Sequence, residues 1–153
     1  MTSAAGSQVA KTRSQRFAIS AARVKLAKKA QVGEVLALES ADDDEGFSFW
    51  LVRVEEVAFV YSGQKRTEDG VVFVSGGYYI KVRYYERFPP SSPSTFKLSA
   101  SVITENAEGV IARQVPSIRA VRRSRRHVPN TDIITLSKDT IAYLSDLPSL
   151  DSM

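Results

Sequence analysis

One alternating stretch, Tyr78 to Phe88, constrains the fold of this chain more than any other segment. Successive side chains of a β-strand point to opposite faces. The stretch therefore divides into one face with Tyr78, Ile80, Val82 and Tyr84 and a second face with Tyr79, Lys81, Arg83 and Tyr85. We expect the face that carries isoleucine and valine to lie in the core. The second face is then exposed, and the stretch predicts a small β-domain that binds something.

Several other segments have the same strand-like character. Phe49 to Val60 alternates in the same way, and the Asp69-Gly70 pair before Val71 is a strong turn signal. Short strands separated by turn residues are typical of a small barrel or sandwich. An immunoglobulin-like sandwich needs about seven strands, so the pattern favours an SH3-like barrel. The predicted strands are Gly33–Leu38, Phe49–Val60, Val71–Val74, Tyr78–Phe88, Thr95–Ile103, Val110–Val115 and Arg119–Val121, with a short β-prone piece at Ile133–Leu136.

A helix is predicted on each side of this β-region. Apolar Phe17, Ala21, Val24 and Ala27 fall on one helical face of a segment that runs from Arg16 to Gln31. Ser137 is placed to cap a second, short helix that ends before Pro148. The expected organisation is a basic arm (1–31), an SH3-like β-barrel domain (32–122), and a basic linker with a short C-terminal helix (123–153).

Charge is segregated along the chain. Residues 1–32 hold seven bases and no acid, residues 33–110 hold seven bases and thirteen acids, and residues 111–153 hold seven bases and four acids. Basic flanks of this kind favour binding to nucleic acid or to another polyanion. The acidic middle is better suited to a basic peptide or to a neutral surface.

The composition argues against catalysis, metals and membranes. The chain has no cysteine, and its one histidine, His127, sits in an arginine run without an acid partner. The carboxylates of residues 42–45 are consecutive, which does not match the alternating spacing of an EF-hand loop. No apolar run reaches the roughly 18 residues needed to span a bilayer, and residues 1–15 lack the apolar stretch of a secretory signal. We expect a protein that is not an enzyme, with no cofactor, no metal and no membrane partner.

Aromatic and acidic residues form the first candidate site. Trp50, Tyr79 and Tyr85 are the rings expected near a surface, and Asp42, Asp43 and Asp44 form an acidic turn beside the first strand. Exposed rings attract alkylated ammonium groups by cation–π interaction. Rings interleaved with lysine and arginine stack on bases instead. The sequence leaves both ligands open.

Basic residues form the second candidate site. Guanidinium groups pair with phosphates through two hydrogen bonds, so an arginine run is typical of a nucleic-acid patch or a nuclear-localisation signal. The alternative is a solvated linker. The predicted nucleic-acid-binding residues are Arg119, Arg122, Arg123, Arg125, Arg126, Lys28 and Lys29.

Four segments occur in an order that resembles the bromo-adjacent homology (BAH) domain and, more loosely, Tudor-like barrels. They are Gly33–Leu38 (GEVLAL), Trp50–Val57 (WLVRVEEV), Ile80–Pro89 (IKVRYYERFP) and Val115–Ile118 (VPSI). The resemblance covers about residues 32–122. It implies an SH3-like barrel that acts in chromatin-associated complexes, binds protein or histone surfaces, and is located in the nucleus.

Three functions follow as hypotheses. The first is an interaction module of the chromatin-associated type that binds a histone-like basic peptide, with flanks that contact DNA or RNA. The second is a nucleic-acid-binding module without a peptide ligand. The third is a structural or assembly subunit of a viral or mobile-element particle, and the oligomeric state is left open.

Overall fold

The computed structural model describes residues 13–40, 48–119 and 133–147. Two α-helices, nine strands and one 3-10 turn make up this part of the chain. In chain order they are α1 (Arg13–Lys29), β1 (Val35–Glu39), β2 (Phe49–Val60), β3 (Arg66–Glu68), β4 (Val71–Phe73), β5 (Tyr78–Arg87), β6 (Thr95–Asn106), the 3-10 turn (Ala107–Gly109), β7 (Val110–Ala112), β8 (Ile118–Arg119), β9 (Ile133–Thr135) and α2 (Lys138–Ser145).

Seven of the strands form one antiparallel sheet in the order β7-β1-β2-β5-β6-β9-β8. Strands β3 and β4 pair separately as a hairpin. This confirms the mainly β class and the two flanking helices. The sheet is open, since β7 and β8 lie at opposite edges and the described strands form no closed barrel. Helices and a hairpin cover the two faces instead, so apolar surface is buried without closure.

One face of the sheet, here called the helix face, packs against α1. Its buried strand residues meet the small side chains of Ala27 and Ala30 at the end of the helix, which lets the backbones approach closely. The strand residues are Leu36, Leu38, Val52, Val54, Ile80, Val82 and Val110. Helix α1 packs on β7, on β2 and on the 3-10 turn, so it covers one side of this face.

The predicted apolar face of α1 is buried only in its second half, where Val24 and Ala27 pack against the core. Phe17 is 76% exposed, whereas Arg23 is buried along with Ala27. The Arg23 guanidinium donates to Glu39 Oε1 at 2.8 Å and to the Glu108 carbonyl oxygen at 3.2 Å. The buried face of α1 therefore includes an ion pair, and a pattern of apolar residues alone does not reveal that face.

The opposite face, here called the hairpin face, is covered at both ends. At one end α2 places Leu144 in a cluster with Tyr85, Phe96 and Ile134. Ser137 caps α2 as predicted, with its side chain accepting from the Thr140 N–H. At the other end the β3–β4 hairpin folds over the sheet. Both faces of β5 are therefore covered for much of its length.

Candidate functional site

Tyr79 is a structural residue, and the prediction that its ring is exposed is wrong. It is 1% exposed and its ring centroid lies 4.6 Å from that of Phe73 on the hairpin. Its hydroxyl accepts from the Val74 N–H at 2.8 Å and donates to the Val72 carbonyl oxygen at 3.0 Å. The ring therefore fastens the hairpin to the sheet.

Tyr85 is buried as well, which overturns the second predicted ring. It is 3% exposed and packs with Leu51, Phe96 and Leu98. No local pattern indicates that Ile134 and Leu144, from beyond residue 132, cluster with Tyr85. Alternation identifies the two faces correctly but does not identify which one is open.

The charged residues between these two tyrosines and on the neighbouring strand are paired. Arg53 Nε lies 2.9 Å from Glu55 Oε2, and Lys81 Nζ lies 3.5 Å from Glu56 Oε2. The Arg83 Nε donates at 2.7 Å to the Ser99 carbonyl oxygen. That carbonyl belongs to a bulge in which residues 99–101 of β6 lie opposite Tyr84 alone. Arg83 thus holds the bulge in place.

The open surface lies on the helix face, beyond the reach of α1. There Trp50 and Tyr84 are half-buried and form an edge-to-face pair, with centroids 6.3 Å apart and planes inclined by 62°. They line a shallow groove of about 530 Å³. We call it the Trp50 groove, and its lining is Trp50, Asp69, Tyr84, Tyr85, Glu86, Ser99, Ser101, Ile103 and Glu105.

The lining of the Trp50 groove is mostly aromatic, small or acidic. Its described residues include the carboxylates of Asp69, Glu86 and Glu105 and no lysine or arginine. Burial raises the pKa of the Glu105 carboxyl above its usual value, and a hydrogen bond from Tyr84 opposes that shift. None of the ion pairs between described residues includes Glu105. Glu105 is thus partly desolvated and forms no ion pair with a described residue, so the groove favours a positively charged ligand.

Glu34 shows the opposite case in the same molecule. Its carboxyl accepts two hydrogen bonds from Arg113, at 3.0 and 2.6 Å. These bonds hold the pKa of Glu34 below its usual value. Glu34 is therefore already paired with a cation, whereas Glu105 would gain one when a basic ligand binds.

The structure separates the other predicted site residues. Trp50 lies in the groove, whereas Asp42, Asp43 and Asp44 are outside the described residues. Lys28 and Lys29 are exposed at the end of α1, with Lys28 Nζ 4.3 Å from the Tyr78 ring centroid. Arg119 ends β8. Arg122, Arg123, Arg125 and Arg126 are outside the described residues.

Sequence reasoning misses Tyr84, Glu86 and Glu105. Tyr84 shares a strand face with Ile80 and Val82, so the alternation assigns it to the core. The signal that does point to Glu105 is its place in β6 after Ile103, since alternate residues share a face. Its neighbours across the sheet become known only from the register between β5 and β6.

Two further site types are absent from the described part of the chain. No group of three or more histidine, aspartate or glutamate residues there is arranged to hold a metal ion. No helix in residues 13–40, 48–119 and 133–147 is long and apolar enough to cross a membrane.

Comparison with protein-family models, with curated proteins and with solved structures finds no match for this chain. The BAH-like and Tudor-like relation stays a prediction from the sequence.

Proposed function

We propose that this protein is a non-enzymatic interaction module whose Trp50 groove receives a lysine or arginine side chain from a basic segment of a partner protein. One observation carries the proposal: an accessible aromatic pair, Trp50 and Tyr84, lies beside Glu86 and Glu105 in a groove that no described basic residue lines.

A basic side chain fits this lining for two physical reasons. An ammonium or guanidinium group near the face of a tryptophan or tyrosine is attracted by the ring quadrupole, by about 0.5–2 kcal/mol. The same cation gives Glu105 a charged partner, so part of the desolvation cost of that carboxylate is recovered on binding. Asp69 and Glu86 at the rim attract a basic segment before contact.

The setting of this interaction comes from the resemblance. A BAH-like or Tudor-like domain implies a chromatin-associated complex, a nuclear location and a histone-like partner. The resemblance also implies an SH3-like barrel, whereas the described strands form an open sheet. The groove supports the chemical class of the partner, which is a basic protein segment, and the resemblance suggests where such a partner occurs.

The test is a titration with a short fluorescein-labelled peptide of alternating arginine and lysine. Trp50→Ala and Glu105→Gln are each expected to weaken binding roughly tenfold, because each removes about 1–2 kcal/mol of cation–π or ionic attraction. The matched controls are Tyr143→Ala, an aromatic 62% exposed on α2, and Glu108→Gln, an exposed acid on the 3-10 turn. Binding that is absent, or that the groove variants and controls affect equally, contradicts the proposal.

A second candidate is binding of nucleic acid through α1. The helix has no acidic residue, and Arg13, Arg16, Lys25, Lys28 and Lys29 are all exposed on it. A helix surface with cations alone attracts a phosphate backbone, and the logarithm of the affinity then falls linearly with the logarithm of salt concentration.

The slope of that salt dependence distinguishes the two basic regions. Replacing Lys25, Lys28 and Lys29 with glutamine is expected to flatten the slope by about 0.9 for each phosphate that these lysines neutralise. The same measurement with Arg122, Arg123, Arg125 and Arg126 replaced tests the predicted arginine patch. An unchanged slope in both variants contradicts this second candidate.

A further inference from the structure

Among the described strands, β6 has an open edge next to the Trp50 groove. It pairs with β5 along its length but with β9 only through Thr95, Phe96 and Lys97. No described strand pairs with the outer edge of β6 after Lys97. Such an edge presents unpaired N–H and C=O groups that accept a further strand.

The regular part of this edge runs from Val102 to Asn106. Over that length the register with β5 is continuous, and the bulge at residues 99–101 interrupts it just before. The side chain of Val102 is 53% exposed. Between residues 98 and 106 the sequence is LSASVITEN, with none of the prolines or lysines that usually protect an edge from pairing. No described strand covers this edge, and it is rich in β-forming residues.

Carboxylates flank the edge on both faces of the sheet. On the helix face, Ile103 and Glu105 line the Trp50 groove. On the hairpin face, Val102 and Thr104 line a second cleft of about 410 Å³. That cleft, here called the hairpin cleft, also contains Glu56, Glu68, Asp69, Phe73 and Lys81.

The hairpin cleft is acidic overall. Lys81, the base among its described lining residues, pairs with Glu56 at 3.5 Å, which leaves Glu68 and Asp69 in excess. Glu68 also meets Arg66 at 3.2 Å, but both side chains are more than half exposed, so water screens that pair. Asp69 lines both the cleft and the Trp50 groove, because the turn between β3 and β4 reaches the edge of β6.

We propose that the basic partner segment binds in an extended conformation and adds as a strand to the β6 edge at Val102–Asn106. This rests on the proposed function, since alternate side chains of the added strand enter the Trp50 groove. The remaining side chains point to the other face and enter the hairpin cleft. Consecutive lysine or arginine residues then all meet carboxylates, whereas a helical segment would present bases to one face only. The edge therefore selects a run of adjacent bases in an extended chain.

Backbone methylation of the peptide tests strand addition without changing the protein. Methylating every second amide of the arginine–lysine peptide leaves one set of N–H groups able to face the edge, because alternate N–H groups of a strand point the same way and the side chains are basic in either register. That peptide is expected to keep its affinity, whereas a peptide methylated at every amide is expected to lose roughly tenfold or more. Full affinity of the completely methylated peptide, with Trp50→Ala and Glu105→Gln still weakening the unmodified peptide, overturns strand addition and leaves the proposed function standing. Indifference of the unmodified peptide to those two substitutions overturns both.

Amide hydrogen exchange of the full chain tests the place of binding. The outward amides among Val102–Asn106 are expected to exchange rapidly in the free protein and to become protected when the peptide is added. Protection in the free protein at low concentration shows that the chain itself occupies the edge. Protection that grows with protein concentration shows that a second copy does. Either result overturns a partner segment as the occupant, as does protection confined to residues outside β6.

Discussion

Tyr79 and Tyr84 lie five residues apart on the same strand, and the molecule treats them in opposite ways. Tyr79 is buried under a hairpin, and its hydroxyl bonds two backbone groups of that hairpin. Tyr84 is half-buried beside Trp50, and its hydroxyl bonds the carboxyl of Glu105. The first ring holds the fold together and the second lines a surface that can receive a ligand. What decides between them is which elements cover each face of the sheet.

Alanine substitution of the two tyrosines is expected to destabilise the fold to very different extents. Tyr79→Ala is expected to lower the free energy of unfolding by about 3–5 kcal/mol, because it empties a packed aromatic cluster. Tyr84→Ala is expected to cost about 1 kcal/mol, since its ring is part-exposed and leaves no closed cavity. Urea denaturation followed by circular dichroism measures both. Similar losses at the two positions contradict the division of roles.

Packing of α1 on the helix face depends on the ion pair between Arg23 and Glu39. Arg23→Ala is expected to lower the free energy of unfolding by about 3 kcal/mol, because it removes a buried guanidinium that bonds both Glu39 and the Glu108 carbonyl oxygen. The control is Arg53→Ala on the hairpin face, where the pair with Glu55 is about a quarter exposed and the loss is expected to be about 1 kcal/mol or less. Chemical denaturation of the two variants gives the comparison, and a smaller effect at Arg23 contradicts it.

Packing of the β3–β4 hairpin against the sheet depends on the short distance between Gly77 and the Tyr79 ring. A Cβ at this position would lie 2.8 Å from the Tyr79 hydroxyl oxygen, which two backbone bonds hold in place. Gly77→Ala is expected to destabilise the fold by about 1–3 kcal/mol through overpacking. Gly109→Ala is the control, since nothing lies within 4 Å of a Cβ there. An equal shift of the thermal unfolding midpoint in both variants contradicts the steric explanation.

Ionisation of Glu105 is expected to have a small effect on how the stability of the fold depends on pH. Burial raises its pKa in the folded state, so the folded state binds this proton more tightly than the unfolded state does. Its charge therefore lowers stability at neutral pH, and that cost disappears as pH falls through the raised pKa toward the usual value for glutamate. Glu105→Gln is expected to raise the unfolding midpoint slightly at pH 7 and to remove this gain on acidification.

Binding provides an independent readout of the same carboxyl. Affinity for the basic peptide is expected to fall on acidification at a pH above that at which an ordinary glutamate protonates. In Glu105→Gln that part of the pH dependence is expected to be absent. An identical pH profile for the variant and the unaltered protein places the cation elsewhere.

Much of the strand arrangement is predictable from local sequence. The bounds expected for the long strands agree with β2 (Phe49–Val60) and β5 (Tyr78–Arg87) to about one residue, because alternation and turn residues are local signals. The Asp69-Gly70 pair likewise predicts the turn before β4. The β3 strand at Arg66–Glu68 is not predictable in this way, since three exposed polar residues carry no apolar period.

The candidate site is harder to predict because it depends on coverage. The sequence correctly identifies Trp50. It also predicts that Tyr79 and Tyr85 are exposed, whereas segments distant in the chain bury both rings. Glu105 and Tyr84 come together through a strand register that includes a bulge, and no local pattern encodes that pairing. The buried position of Arg23 on α1 is not predictable for a related reason, since an arginine is acceptable there only when Glu39 lies opposite.

Local sequence is sufficient to predict that the chain forms strands, that β5 has two distinct faces, and that acidic residues concentrate in the middle of the chain. These properties follow from the backbone period and from side-chain chemistry, which act between near neighbours. The tertiary structure adds that the hairpin and α2 cover the face with Tyr79 and Tyr85. It also adds that, among the described residues, the sheet is open and Trp50, Tyr84 and Glu105 are accessible beside an edge of β6 with which no described strand pairs. Those outcomes depend on contacts between residues far apart in the chain, where burial of one surface determines which other surface is left exposed.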